Sequence, residues 1–386
     1  MTDRHLAAAA RILGRRVGLR LDPATDGRLR RCVDDAAAAR GQDVPQFVAS
    51  LDRDDTALQD LLDRVTVQET SFFRDPGQFE ALAVHVLPTL RGPVTVWSAG
   101  CANGQEPYSL AMVLAESTVN DWRVVATDVS SRALARTRAA RYRAKELSGV
   151  SPDRRERHFE RDGDGWKVKA VLRDRVGVSR LNVVSDPFPG NAGVCPVVFC
   201  RNLLIYLHPT EVVAFLDRLA RWMAPDGYLF LGYSESLWQV TDAFKLVRLG
   251  GSFAYRPADA VVAPSQPPPS RPAAPAARRR VPRPADHLPD AATLLAAGEA
   301  AMARGDHDAA VVAFRKAAYL EPDHPLPHFQ LGFALEAAGH PVAARRAYAA
   351  ARGAIERGDT VALEAALEGY RVDELVTLLD DKLHLP

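Results

Sequence analysis

A glycine turn and a carboxylate placed 24 residues beyond it are the features whose types and spacing invite a chemical reading. The turn, Ser98-Ala99-Gly100-Cys101-Ala102-Asn103-Gly104, follows the apolar run 94–97 and precedes a helix start near Glu106-Pro107, where a proline suits the first turn. Glycines between a strand and a helix let backbone pass close under a flat or charged ligand. Asp128 closes the next apolar run, the place where such sheets grip ribose hydroxyls with a carboxylate. Its alternative role is an N-cap for a helix at 130–140, although Ser130 could perform that task. The turn lacks a full G-x-G-x-x-G, which disfavours a pyrophosphate-bearing dinucleotide. A nucleoside without phosphates, such as S-adenosylmethionine, needs fewer close-approach glycines. Methyl transfer therefore ranks above hydride transfer.

Those residues need a scaffold that gathers strand ends. Short apolar runs at 94–97, 122–127, 176–181, 196–200 and 227–232 read as strands, and helices fit at 107–118, 130–140 and 209–224. This alternation predicts an α/β fold built on a Rossmann-like, doubly wound, mostly parallel sheet. Charged residues interrupt it at about 141–175, where Gly163-Asp164-Gly165-Trp166-Lys167-Val168 reads as a hairpin and predicts a small antiparallel β insertion. The first seventy or so residues read as helices. Leu6, Ile12, Leu13 and Val17 fall near helical spacing, as do Leu58, Leu61, Leu62 and Val65, with breakers at Pro23, Gly27, Gly41 and Pro45. The charges between them read as solvated faces.

Residues 257–290 are dominated by Pro, Ala and Arg, a composition that cannot bury enough apolar surface to offset ordering entropy. They predict a disordered linker in which the run 278–280 is a solubilising cluster. Beyond it the sequence repeats at a period of 34: Gly298 and Gly332, Gly305 and Gly339, Ala310 and Ala344, Phe314 and Tyr348, Ala317 and Ala351 all match. Small residues let paired helices approach while the aromatic fills the groove. This layout resembles the tetratricopeptide repeat. Pro322 would close the first unit, and residues 360–385 would add one or two capping helices.

The chain has 49 basic and 48 acidic residues, a balance that argues against a nucleic-acid partner. Its four cysteines (Cys32, Cys101, Cys195, Cys200) include no CxxC pair, so neither a disulfide scaffold nor a zinc site is expected. Both Cys101 and Cys200 read as small fillers. No window approaches the ~20 apolar residues of a membrane span, and no apolar signal segment opens the chain. A cytoplasmic protein without membrane insertion is expected.

Five blocks carry a more specific resemblance. Thr70-Ser71-Phe72-Phe73-Arg74-Asp75, VWSAGCANGQEPYSLAM from position 96, ATDVS at 126–130, FCRNLLIYL at 199–207 and GYLFLGYSES at 227–236 stand in the order found in CheR-type chemotaxis-receptor O-methyltransferases. The sequence resembles that family over roughly residues 60–256. The resemblance implies a helical domain at 1–75, an S-adenosylmethionine-dependent methyltransferase domain at 76–256, the linker at 257–290 and the repeats at 291–386. It also implies cofactor contacts at Gln68, Thr70, Arg74, Gly100, Glu106, Asp128, Asn182, Val183, Arg201, Asn202 and Leu203. Catalytic roles fall to Arg74, Arg201 and Tyr206. Two positions depart from the usual pattern: Gln68 replaces an asparagine, and Gln105 a common glutamate.

The implied reaction yields a glutamate methyl ester and S-adenosylhomocysteine, with the cytoplasmic domain of a methyl-accepting chemoreceptor as substrate. A glutamate with pKa near ~4.3 is already ionised at neutral pH, so no general base is required. Catalysis would rest on holding carboxylate, methyl and sulfur in line. Burying the carboxylate requires a cation, which Arg74 and Arg201 could supply, with Tyr206 donating a hydrogen bond. Phe72, Phe73, Trp97 and Tyr108 read as packing residues. The loop between Arg161 and Trp166 looks shorter than in peptide-docking family members, which disfavours a peptide-dependent mode. Arg11, Arg15, Arg16, Arg28, Arg30 and Arg31 could meet an acidic receptor bundle or form a solvated face. The competing reading is a catalytically weak scaffold that acts through its repeats and their unknown protein partner.

Overall fold

Strand and helix positions follow from where apolar residues cluster, and in this computed structural model they divide between residues 1–269 and 270–386. The described residues are 3–21, 26–232, 235, 237, 240–250, 252–258, 290–321, 323–357 and 372–384. Most of the segment read as a linker, together with Pro322 and the run 278–280, lies outside them.

In the first unit, α1 (Asp3–Val17), α2 (Asp26–Ala39), α3 (Val44–Ser50) and α4 (Asp55–Val65) bury one face each. Leu13, Leu29, Phe47, Leu51 and Leu61 are fully enclosed among them. Asp43 caps α3 by accepting from the Gln46 N–H at 2.8 Å, and Asp54 caps α4 through the Thr56 and Ala57 N–H groups. Several charges read as solvated join helices instead. Arg15 pairs with Asp52, Arg16 with Asp55, Arg30 with Asp3, and Arg40 with both Asp54 and Asp60. Exposed pairs of this kind contribute at most about 1 kcal/mol each, so the apolar faces hold the bundle.

The sheet runs β6-β2-β1-β7-β8-β10-β9. Its parallel part comprises β1 (Val94–Ala99), β2 (Trp122–Asp128), β6 (Val176–Arg180), β7 (Val197–Cys200) and β8 (Tyr228–Leu231). Helices α6 (Gln105–Ala115), α7 (Ser131–Ala139) and α10 (Pro209–Trp222) accompany these strands. Two further strands, β9 (Phe244–Leu249) and β10 (Ser252–Pro257), add an antiparallel hairpin. The sequence reading stopped at 232 because Lys245 and Arg248 interrupt β9, and those charges stand exposed on an edge strand. Edge charges hinder pairing with a second sheet.

Helix α5 (Pro76–Ala81) continues into a π-helical turn, Leu82–Val86, before β1. The insertion is a three-stranded sheet ordered β3 (Arg141–Tyr142), β5 (Gly165–Val168) and β4 (Phe159–Asp162), with α8 (Pro152–His158) and α9 (Ala170–Arg173). Asp162 pairs with Gly165 across a two-residue turn, so the expected hairpin is present and short.

The second unit holds α11 (Ala291–Ala303), α12 (His307–Leu320), α13 (Pro325–Ala337), α14 (Pro341–Arg357) and α15 (Val372–His384). The 34-residue matches meet in space: a Cβ on Gly298 would lie 2.5 Å from the Phe314 ring, and one on Gly332 would lie 2.3 Å from Tyr348. Both aromatics are buried, and the Tyr348 hydroxyl donates to Glu336 at 2.7 Å. A Gly332→Ala change should destabilise this unit by about 1–3 kcal/mol through overpacking. Calorimetry of the full chain should show the transition of residues 290–386 falling by at least about 4 °C, with ligand affinity of the first unit unchanged.

Candidate cofactor and active site

Strand order reverses between β1, which leads to β2 and β6, and β7, which leads to β8. Open α/β sheets take their ligands in the crevice at such a reversal, beyond the carboxyl ends of the strands. Here the segments after β1, β2 and β7 converge with the chain preceding α5. A separate cavity of about 420 Å3, lined by Leu87, Pro93, Val119 and Asp121 among others, lies at the opposite end of β1 and β2.

The turn after β1 is tied to β2. Its Gly100 and Cys101 N–H groups both donate to the Thr127 carbonyl, at 2.8 and 2.9 Å. Gly100, Ala102 and Gly104 have φ of 76°, 47° and 91°. A Cβ on Gly100 would come within 3.3 Å of Leu203, so glycine allows the loop after β7 to close on the turn. Ala102 is held in its left-handed conformation by the bond from its N–H to Asp128 Oδ2, at 2.9 Å.

Asp128 does not cap α7. That role belongs to Ser130, whose Oγ accepts from the Ala133 N–H at 3.2 Å. The second Asp128 oxygen accepts from the Ser130 N–H at 2.9 Å. A carboxylate has about four acceptor positions, so capacity remains for a hydroxyl donor. Burial raises the Asp128 pKa, opposed by the N–H groups of Ser130, Ala102 and Val129.

Arg201, the first residue after β7, has its side chain only 2% exposed. Its guanidinium donates to Asp75 Oδ2, to the Arg74 carbonyl at 2.6 Å and to Glu106 Oε2 at 3.3 Å. The other Glu106 oxygen accepts from Ser98 Oγ at 2.7 Å. Burial raises the Glu106 pKa, while the Arg201 charge and the Ser98 hydrogen bond work against it. The Arg201 Nε group is buried without a partner, as are Gln68 Oε1 and Gln105 Oε1. Three orphaned polar atoms among the residues of this region fit a polar cofactor better than a packed core.

The loop that carries Thr70 and Arg74 is strained, with Phe73 and Asp75 at φ 51° and 59°. Packing holds it in place. Phe72 meets Tyr142 and Phe159 edge-on at 4.9 and 5.5 Å, and the Phe73 N–H donates to Ser109 Oγ at 2.9 Å. Both phenylalanines are thus packing residues, as read from the sequence. Thr70 is half-buried, and the Arg74 guanidinium donates to the Glu69 carbonyl at 3.5 Å. The Gln68 side-chain amide donates to Thr66 Oγ1 at 3.0 Å, and the Gln68 backbone carbonyl accepts from Asn103 Nδ2 in the glycine turn.

Asn202 adopts φ 57°, and Leu203 beside it is half-buried. Tyr206 ends the short 3-10 turn Leu204–Tyr206. Its pKa is raised by burial and by Glu69 and Glu235, while Arg28 and Arg74 lower it. Tyr206 and Arg74 therefore share one electrostatic neighbourhood, which Arg28 of α2 enters. Val183 is buried. Asn182 is committed inside the chain: Nδ2 donates to the Arg16 carbonyl at 2.8 Å, Oδ1 accepts from Val184, and its backbone pairs with Asp186. The expectation of an orienting contact from Arg201 changes as well, because its terminal nitrogens are occupied and Arg74 is the cation nearer solvent.

Three residues of the site were not singled out in advance: Asp75, Ser98 and Glu235. All three lie within quoted motif blocks, but Asp75 and Arg201 are 126 residues apart, beyond any local spacing rule.

A family model described as "CheR methyltransferase, SAM binding domain" matches residues 68–251. "Chemotaxis protein methyltransferase 1" of Pseudomonas aeruginosa is 37% identical, with 51% of this chain and 76% of that protein covered. The "Chemotaxis protein methyltransferase" of Salmonella typhimurium is 30% identical over 64% of this chain and 88% of its own length. "Probable biofilm formation methyltransferase WspC" of Pseudomonas putida is 31% identical over 87% of this chain and 95% of its own length, an extent that must enter the helical second unit. The matched S-adenosylmethionine-binding domain contains the glycine turn, Asp128 and the Arg201 network, and the chain belongs to the CheR methyltransferase family.

Proposed function

We propose that the chain transfers the methyl group of S-adenosylmethionine to glutamate side-chain carboxylates of a chemoreceptor-like protein, within chemotaxis-type signalling. The observation that carries this reading is the division of labour between its two arginines. Arg201 is consumed in a buried network beneath the glycine turn, whereas Arg74 is half-buried, makes one long contact with the Glu69 carbonyl, and exerts its charge on Tyr206. A cation and a hydroxyl are thus offered to an acceptor that arrives as a carboxylate.

The cofactor, when bound, supplies an activated methyl on a sulfonium. Asp128 would accept from its ribose hydroxyls, and Leu203, packed against Gly100, would form one wall with the glycine turn. Arg201 Nε and Gln68 Oε1 are the buried polar atoms that it would satisfy. Arg74 and Tyr206 orient the acceptor, and the exclusion of water strengthens both contacts. No proton moves in the transfer step, which suits a site without a Ser-His-Asp arrangement. Gly100, Glu106, Thr70, Asn202 and Val183 complete the wall, and Asn182 fixes the loop that carries Val183.

On the same reading residues 1–75 are the helical domain, 76–256 the catalytic domain, 257–290 a linker and 291–386 tetratricopeptide-like repeats that hold a protein partner. A cytoplasmic location suits this substrate, and among the described residues no helix is long and apolar enough to cross a membrane. The scaffold alternative is disfavoured by the retention of Arg74, Glu106, Asp128 and Arg201 together.

Purified protein should label a receptor cytoplasmic domain with methyl groups released by base; a base-stable product would sink the reading. Asp128→Ala should weaken S-adenosylhomocysteine binding at least about 100-fold, from two charge-assisted hydrogen bonds of about 1.5 kcal/mol each. Unchanged affinity in calorimetry would move the ribose site elsewhere. Tyr206→Phe should lower kcat about tenfold while leaving cofactor affinity intact, from one hydrogen bond of about 1.4 kcal/mol to the acceptor.

A further inference from the structure

Glu235 lies beyond β8, outside the set of residues assigned to cofactor or substrate. Its carboxylate reaches back toward the end of β7, where three hydrogen bonds converge. Oε2 accepts from the Asn202 N–H at 2.7 Å and the Gly232 N–H at 2.8 Å, and Oε1 accepts from the Leu204 N–H at 2.8 Å. The Ile205 N–H also holds the carboxylate. Four backbone donors therefore converge on one side chain, and three of them belong to the segment between Arg201 and Tyr206.

That segment cannot hold its shape unaided. Asn202 sits at φ 57°, a left-handed conformation that glycine and asparagine adopt more readily than other residues, and it directs its N–H toward Glu235. Leu204 and Ile205 open the 3-10 turn, whose first N–H groups have no partner within the turn. Gly232 completes the fit, because a Cβ there would lie 2.9 Å from the Asn202 amide nitrogen. The result is a loop with Leu203 against Gly100, Tyr206 near Arg74, and Ile205 46% exposed between them in sequence.

We propose that Glu235 is a positioning residue for methyl transfer, whose carboxylate gathers the Asn202, Leu204 and Ile205 N–H groups and so fixes Leu203 and Tyr206 relative to the glycine turn. This rests on the methyltransferase reading above. A carboxylate is needed because all its polar positions are acceptors; a glutamine would turn an amide N–H against one pair of donors. The donors would then be left unpaired or the loop would shift, and a displacement of about 1 Å can cost a hundredfold in rate.

Glu235→Gln and Glu235→Asp in the full chain separate the outcomes. Amide hydrogen exchange should speed up at Asn202, Leu204 and Ile205 in Glu235→Gln, while amides of β1 keep their protection. With the receptor cytoplasmic domain as substrate, kcat should fall about 100-fold. S-adenosylhomocysteine affinity, which rests on Asp128 and the glycine turn as well as on Asn202 and Leu203, should fall far less than kcat does. Glu235→Asp keeps the charge on a shorter arm and should recover part of kcat. Unchanged exchange at the three amides overturns the clamp, and unchanged kcat with lost protection overturns its link to catalysis. Equal loss of β1 protection would assign Glu235 to general stability instead. Should the unaltered protein transfer no methyl group, the functional reading fails while the exchange measurement still judges the clamp.

Discussion

A guanidinium enclosed beneath the reversal point of the sheet, and the acceptors that neutralise it, govern everything above them. Arg201 cannot be left alone there. An uncompensated buried charge costs about 3–5 kcal/mol, so Asp75, Glu106 and the Arg74 carbonyl must stay in place once Arg201 is present. These partners come from two separate stretches of chain. By satisfying one cation they bring the start of α5, the start of α6 and the end of β7 to a common point. Replacing the whole set with apolar residues could fold as well. The polar version also fixes where Arg74 stands and leaves Nε turned toward an unfilled need.

Around that point the backbone repeatedly takes conformations that ordinary residues avoid. Phe73, Asp75, Ala102 and Asn202 all have positive φ, and all four lie in loops at the carboxyl ends of the strands. Each has a retaining device: Ser109 for Phe73, Arg201 for Asp75, Asp128 for Ala102 and Glu235 for Asn202. Such strain costs on the order of 1–3 kcal/mol per residue and persists only where the surroundings over-determine it. It is spent where the site needs backbone to approach a ligand or a neighbouring loop.

Much of this was legible in residue order. The runs of β1 and β7 are apolar at nearly every position because both faces are covered, and they stand out without any alternation. The glycine turn and Asp128 were readable because a strand end, a turn and a second strand end are local in sequence. β9 was not, since an edge strand with outward Lys245 and Arg248 carries the signature of a loop. The use of Arg201 was not either. Whether an arginine faces substrate or is sealed beneath it depends on Asp75, which no spacing rule connects to it. The repeats were legible through their period because each Gly–aromatic pair is itself a short-range contact.

The N-terminal helices look like a detachable preface, but the hydrogen bonds say otherwise. Asp63 of α4 accepts from Ser130 and Ser131 at the start of α7, Gln59 donates to the Val129 carbonyl, and the Arg16 carbonyl accepts from Asn182. The same short stretches that border the candidate site are therefore also the sockets for the bundle. Cutting the chain at residue 75 would strip partners from Ser130, Ser131, the Val129 carbonyl and Asn182, so the bundle and the sheet are interlocked parts of one body.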